Sequence, residues 1–289
     1  MRHTAGLAVD KEASLAGKGW RAELDLAFGK TKEGTTLLRR SHCGPLRVQR
    51  PFYPEGGDVC HVYLLHPPGG VVAGDELDVG VTLDKGAHAL ITTPAANKFY
   101  RSNGAWARLR QSLQVARGAS LEWFPQEAIL FDGARADVRT RVELAGDASF
   151  MGWEITCLGR PAAHEKYLHG ESRQCFEIWR DGRPLWLERA SFAGDGTALS
   201  AAWGMAGHTV TGTFACVTRC HEVLPKVRAV AESCRDGGVF NATQLEDVLV
   251  CRYLGDHAED ARRYFILVWE TLRPLVMQRP ACAPRIWAT

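Results

Sequence analysis

The chain has 289 residues, 46 % of them apolar, enough for a substantial core in one large or two ordinary domains. Its 35 basic and 33 acidic residues nearly balance, which excludes the strongly basic surface that nucleic-acid binding needs. No apolar run approaches the ~20 residues of a membrane span, and the nine cysteines lack the dense spacing of a secreted disulfide scaffold, so a cytoplasmic protein with reduced thiols is expected.

Residues 1–19 carry Arg2, Asp10, Lys11, Glu12 and Lys18 and no apolar h-region, so they read as a flexible extension rather than a secretory signal. From Trp20 the dominant period is two. Trp20, Ala22, Leu24, Leu26 and Phe28 alternate with charged or polar residues; so do Leu77, Val79, Val81 and Leu83, and Val138, Thr140, Val142 and Leu144. Each run predicts a half-buried strand. Arg135, Arg139 and Arg141 fall on the polar side of the last run and read as a solvated strand face. Leu121-Glu122-Trp123-Phe124-Pro125-Gln126-Glu127 reads as core followed by an edge-strand stop at the proline. Arg180-Asp181-Gly182-Arg183 predicts a hairpin, because Asp-Gly supplies the positive φ angles of a tight turn. Two helices are predicted late in the chain. One runs from His221 to Cys234; the other is capped by Asp256, buries Ala261, Tyr264, Phe265, Val268, Trp269 and Leu272, and ends at Pro274. Val248–Leu254 between them reads as a buried strand. The pattern is mainly β, and no linker divides residues 20–289, which predicts a single domain.

Two loops stand out. Leu65-His66-Pro67-Pro68-Gly69-Gly70-Val71-Val72-Ala73-Gly74-Asp75 combines two prolines that cannot donate to a sheet with glycines that permit positive φ. It is no phosphate cradle, since Asp75 stands where a Walker loop needs lysine. Thr92-Thr93-Pro94-Ala95-Ala96-Asn97-Lys98-Phe99-Tyr100-Arg101-Ser102 follows the next strand. This pair of motifs resembles the urease accessory protein family UreD (also UreH). Gly44-Pro45-Leu46, Gln49 through Pro54, Leu158-Gly159-Arg160-Pro161 and Pro284-Arg285-Ile286-Trp287 agree in order, and the similarity runs from about Trp20 to Thr289. The first nineteen residues and the Thr211–Arg235 region match no pattern of that family.

The resemblance implies an irregular β-helix-like stack of strand layers with about two α-helices near the C-terminus; alternation alone does not separate that from a sandwich. It also implies a non-enzymatic urease maturation factor, a metallochaperone and scaffold. Such a protein binds apo-urease and UreF, through UreF the GTPase UreG, and possesses no tightly bound cofactor. It passes Ni²⁺ transiently through its interior, in an assembly that UreF can make dimeric. A relay needs hard oxygen ligands that release the ion, since thiolates and imidazoles would trap it. Asp75 and Glu188 are the expected relay carboxylates; their plainer readings are a turn aspartate and an ion pair with Arg189 or a neighbouring strand. Lys98, Tyr100 and Arg101, with Arg285 and Trp287 in the tail, are expected at partner contacts; a buried tyrosine and a solvated arginine are the plainer alternative.

Cys216, Cys220 and His221 have local metal-like spacing but lack the second pair of a structural zinc site. A second class of function stays open, a metal-dependent hydrolase built on Asp75 and His66, although no nucleophile–base motif is present.

Overall fold

The computed structural model describes residues 19–220, 222–234 and 237–288, so the expected N-terminal extension (apart from Gly19) and His221 lie outside the described residues. Alternating strands with one wettable face are stacked as successive turns of a coil. In chain order the strands are β1 (Arg21–Thr31), β2 (Gly34–Cys43), β3 (Arg47–Val48), β4 (Cys60–Leu65), β5 (Glu76–Leu83) and β6 (His88–Thr92). There follow β7 (Asn97–Phe99), β8 (Ala107–Val115), β9 (Ser120–Phe124), β10 (Ala128–Leu130), β11 (Arg135–Leu144) and β12 (Ser149–Arg160). The last are β13 (Glu165–Lys166), β14 (Glu171–Arg180), β15 (Arg183–Ala193), β16 (Val210–Val217), β17 (Val239–Leu245) and β18 (Val248–Gly255). Helix α1 (Val223–Ser233) precedes β17, and α2 (Ala258–Val276) follows β18.

The protein is mostly β, with stacked coils of about four turns. In the first sheet β1, β5, β8, β11 and β14 run parallel, and β2 and β15 close its two ends antiparallel. In the second sheet β4, β6, β9 and β12 run parallel, extended antiparallel by β16, β18 and β17. The expected hairpin joins β14 to β15, with Asp181 and Gly182 at φ 48° and 74°.

The first sheet is wet on its outer face, as alternation predicts. Ala22, Leu24, Leu26 and Phe28 are buried, and Trp20, just outside the strand, is exposed. The arginine cluster lies on the outer face: Arg139 pairs with Asp137, Arg141 with Glu143, and Arg135 stacks on Trp106 at 4.6 Å. Exposed pairs of this kind stabilise by ~1 kcal/mol at most.

The second sheet is covered on both faces, by the coil interior and by the helices. β9 is therefore not an edge strand: it pairs with β6 and β12, and Leu121, Trp123 and Phe124 are buried together with Glu122. The predicted stripe of α2 is buried in full against this sheet. Two details differ from expectation. Asp256 does not cap α2; it accepts hydrogen bonds from Thr209 and pairs with His208, while His257 occupies the cap position without a side-chain bond. Pro274 lies inside the last turn instead of ending the helix.

Glu122 brings a charge into this dry layer, and α2 answers it. Arg273, fully buried, donates through Nε to Glu122 at 3.0 Å and grips Glu55 through Nη1 and Nη2 at 2.7 Å each. His88 and His61 sit 2.7 Å from Glu122 and Glu55, and Trp269 Nε1 also donates to Glu122. Arg273 further bonds the Pro280 carbonyl, fastening the C-terminal tail. Burial alone would raise the Glu55 carboxyl, but the bonds from His61 and Arg273 hold it down at about 2. With its folded pKa below the ordinary 4.5, its stabilising effect is present above pH 4.5 and is lost as the pH falls toward 2. Arg273→Met leaves two buried carboxylates without their cation and should cost ~3–5 kcal/mol in chemical unfolding at pH 7; a loss under ~1 kcal/mol would show the cluster to be dispensable.

Candidate functional site

The inward ladder of the first sheet changes character along the coil. Registered neighbours read Leu24, Val79, Gln111, Thr140, Phe176 and Glu188 from one end to the other. Beyond the second turn polar groups join the apolar filling, and the interior opens. A cavity of about 390 Å³ reaches the surface beside His66, Pro67 and Gly69 on one side and Pro94 and Lys98 on the other. A second, of about 500 Å³, lies at the last turn and is rimmed by Trp203 and Val239, 78 % and 59 % exposed. Glu154, Thr156 and Gln174 belong to the walls of both.

Glu154 sits on β12 in the inward phase with Phe150, Gly152 and Thr156. Its orientation follows from hydrogen-bond chemistry. The Gln111 amide nitrogen can only donate, and it donates to Thr140 Oγ1 at 2.6 Å; the Thr140 hydroxyl then donates to Glu154 Oε1. Glu154 Oε2 has no hydrogen-bond partner among the described residues. Burial pushes the Glu154 carboxyl up to about 7; the Thr140 bond works against this, and the nearby Glu188 charge adds to it. Unlike Glu122, it is paired with no cation among the described residues.

Glu188 comes to the second cavity from β15, in register with Phe176. Its partner is Arg252, on β18 of the opposite sheet, and not Arg189, which pairs with Glu177. Thr213 Oγ1 donates to the same Oε1 at 3.3 Å, while Oε2 is buried without a hydrogen-bond partner among the described residues.

Asp75 is 5 % exposed and lies in neither cavity wall among the described residues. Its Oδ1 accepts the Trp20 N–H at 2.7 Å and its Oδ2 the Val72 N–H at 2.9 Å, so the geometry here is that of a turn-holding carboxylate. Gly74 in this loop has φ 88°, and a Cβ on Gly70 would lie 2.2 Å from the Tyr100 ring, which is why the loop needs glycine at both positions. The loop presents His66 at the first cavity. Burial lowers the His66 pKa, the Asp75 charge opposes that, and Nδ1 has no hydrogen-bond partner among the described residues. Asp75 and His66 are thus neighbours, yet no group of three or more His, Cys, Asp or Glu side chains is arranged to hold a metal among the described residues, which gives the hydrolase reading no support.

Lys98 lines the first cavity; Tyr100 packs edge-on against Phe131 at 4.8 Å; Arg101 is exposed and pairs with Asp132. Arg285 is exposed, whereas Trp287 is an internal anchor that packs on Phe124, Trp153 and Trp269 and donates to Thr92 at 3.0 Å. Cys216 is buried on the helix side of β16 and Cys220 is exposed, so the two thiols do not share one environment.

Two predictions concern these carboxylates. Because the folded pKa of Glu154 lies above the ordinary 4.5, its neutral form favours the fold, and stability is lost as the pH rises from 4.5 through about 7. Glu154→Gln should therefore unfold later than wild type at pH 8 by about 1–2 kcal/mol, with the gap closing near pH 4; a pH-independent difference would contradict the assignment. Asp75→Ala frees two N–H groups and should cost ~1–3 kcal/mol in the same assay; an unchanged midpoint would remove its turn-holding role.

A family model described as UreD urease accessory protein matches residues 20–288. Urease accessory protein UreD 2 of Brucella anthropi is 46 % identical over 273 residues, covering 94 % of this chain and 99 % of that one. Urease accessory protein UreD of Dechloromonas aromatica is 46 % identical over 275 residues, covering 93 % and 95 %. That of Citrobacter koseri is 44 % identical over 272 residues, covering 94 % and 93 %. By name these relatives are accessory proteins rather than enzymes. No helix among the described residues is long and apolar enough to cross a membrane.

Proposed function

The chain belongs to the UreD family of urease accessory proteins, and from that premise we propose that it is a cytoplasmic nickel conduit and docking scaffold for urease maturation. The observation that carries the proposal is the pair of cavities with a common wall at Glu154, Thr156 and Gln174. Nickel is the cargo. It enters hydrated at one mouth, meets carboxylate oxygen at Glu154 and Glu188, and leaves at the other. Few hard donors hold a borderline cation weakly, which suits a relay. Asp75 acts at one remove, holding the loop and lending its charge to the mouth where His66 stands. Lys98, Tyr100 and Arg101 flank that mouth and form one partner contact with Arg285; Trp287 serves by fixing the tail. UreF, bringing UreG with it, and apo-urease are the proposed partners, one at each opening.

Ala190→Trp tests this reading, because Ala190 lines the second cavity and a tryptophan there fills it. In cells expressing urease and its accessory proteins, the variant should still be captured with UreF and urease, while the nickel content of purified urease falls several-fold. Normal nickel loading by a variant that keeps its melting temperature would rule out passage through this cavity.

A further inference from the structure

At the mouth of the second cavity one cation stands in the way. Arg252 and Glu188 come from different sheets, so their ion pair spans the gap where the last turn opens. The Arg252 side chain is 53 % exposed and Glu188 23 %, and Arg252 Nη1 also reaches Thr213 Oγ1 at 3.4 Å. Glu188 Oε1 is thereby taken by Arg252 and Thr213, while Oε2 is buried with no hydrogen-bond partner among the described residues. Glu154 is the other carboxylate in the same cavity wall, and its Oε2 too is without a hydrogen-bond partner among the described residues. Two carboxylates with a free oxygen each, facing one cavity, would attract any divalent cation. A guanidinium held over one of them cancels most of that attraction.

We propose that Arg252 is an electrostatic plug on the second cavity, drawn off Glu188 by an acidic side chain of the protein that docks at this mouth. The inference rests on the conduit reading and adds its regulation. Three observations favour it. A guanidinium keeps its charge at any physiological pH, so the plug cannot be removed by deprotonation and requires a competing anion. A half-exposed ion pair is weak, so a partner's carboxylate competes with Glu188 on comparable terms. The rim around Arg252 carries Trp203 and Val239, the exposed apolar surroundings in which an arginine contact counts for most at an interface. In the unbound protein the plug keeps cations out; on docking, Arg252 turns to the partner and Glu188 becomes available.

The test is titration of Ni²⁺ into the full-length protein by calorimetry. Arg252→Ala should bind Ni²⁺ about tenfold more tightly than wild type, as expected for removal of one neighbouring positive charge. Arg252→Lys, which keeps the charge, should stay near wild type, and the double variant R252A with E188Q should lose the gain. Equal affinity of wild type and R252A, or tight binding that persists in the double variant, would overturn the plug. Assembly with UreF and urease should tighten Ni²⁺ binding by wild type but not by R252A; equal tightening in both would overturn release by a docked carboxylate. The outcomes separate from those of the conduit: normal nickel loading by Ala190→Trp together with a tenfold effect of R252A would leave a guarded cation site in a protein that conducts nothing through it.

Discussion

A sheet packed on both faces strips water from every side chain it carries, so a carboxylate within it must find a cation, a proton or a cavity. The second sheet of this protein contains two such groups on adjacent strands, and it resolves them differently. Glu122 points toward the helices and receives Arg273, His88 and Trp269. Glu154 points into the coil and receives only the Thr140 hydroxyl and open space. The first solution yields a depressed pKa and a rigid joint. The second yields a carboxyl that titrates near neutrality and an interior that cannot close. The rigid joint and the cavities thus occupy opposite faces of one sheet.

The joint has reach beyond its own residues. Arg273 ties α2 to Glu55 ahead of β4, to Glu122 on β9 and to the tail at Pro280, places far apart in the chain. The tail then returns Trp287 to the aromatic cluster of Phe124, Trp153 and Trp269 beside Thr92, which opens the motif flanking the first cavity. A buried ion cluster is a poor source of net stability but a strong arbiter of geometry, because any arrangement that separates its members leaves bare charge behind. Here it specifies where the helix layer sits, and so which face of the second sheet is dry and which is hollow.

The same logic explains what alternation could reveal. In the first sheet one face is wet, so Leu77, Val79, Val81 and Leu83 announce themselves against polar neighbours, as do the arginines of β11. In the second sheet Phe150, Met151, Gly152, Trp153, Ile155, Cys157 and Leu158 are apolar on both phases, and period two disappears. A lone Glu154 in that run is the one visible sign of the cavity, and only a reading that asks why a charge enters a doubly buried strand would find it. The stacking into coils came from resemblance, since alternation is common to sandwiches and coils alike. The loop around Asp75 is legible, but the Trp20 and Val72 N–H groups that take its oxygens are set by folding, not by spacing.

Strand alternation also sorts ligands by softness. On β12, Glu154 and Thr156 face the cavities while Cys157 faces the helices; on β16, Thr213 faces the cavity while Cys216 faces the helices. Burial pushes the Cys157 and Cys251 thiols up to about 12 and Cys216 well above its ordinary value, so none offers a thiolate near neutrality. Among the described residues no cysteine lines either cavity, although thiols lie one residue away along the same strands. Moving either of these strands by one residue would exchange the two sets and put thiols on the cavity walls. The register that buries the helix-facing apolar side chains is thus the register that keeps these thiols off the cavity walls, so packing and cavity chemistry are set by one alignment.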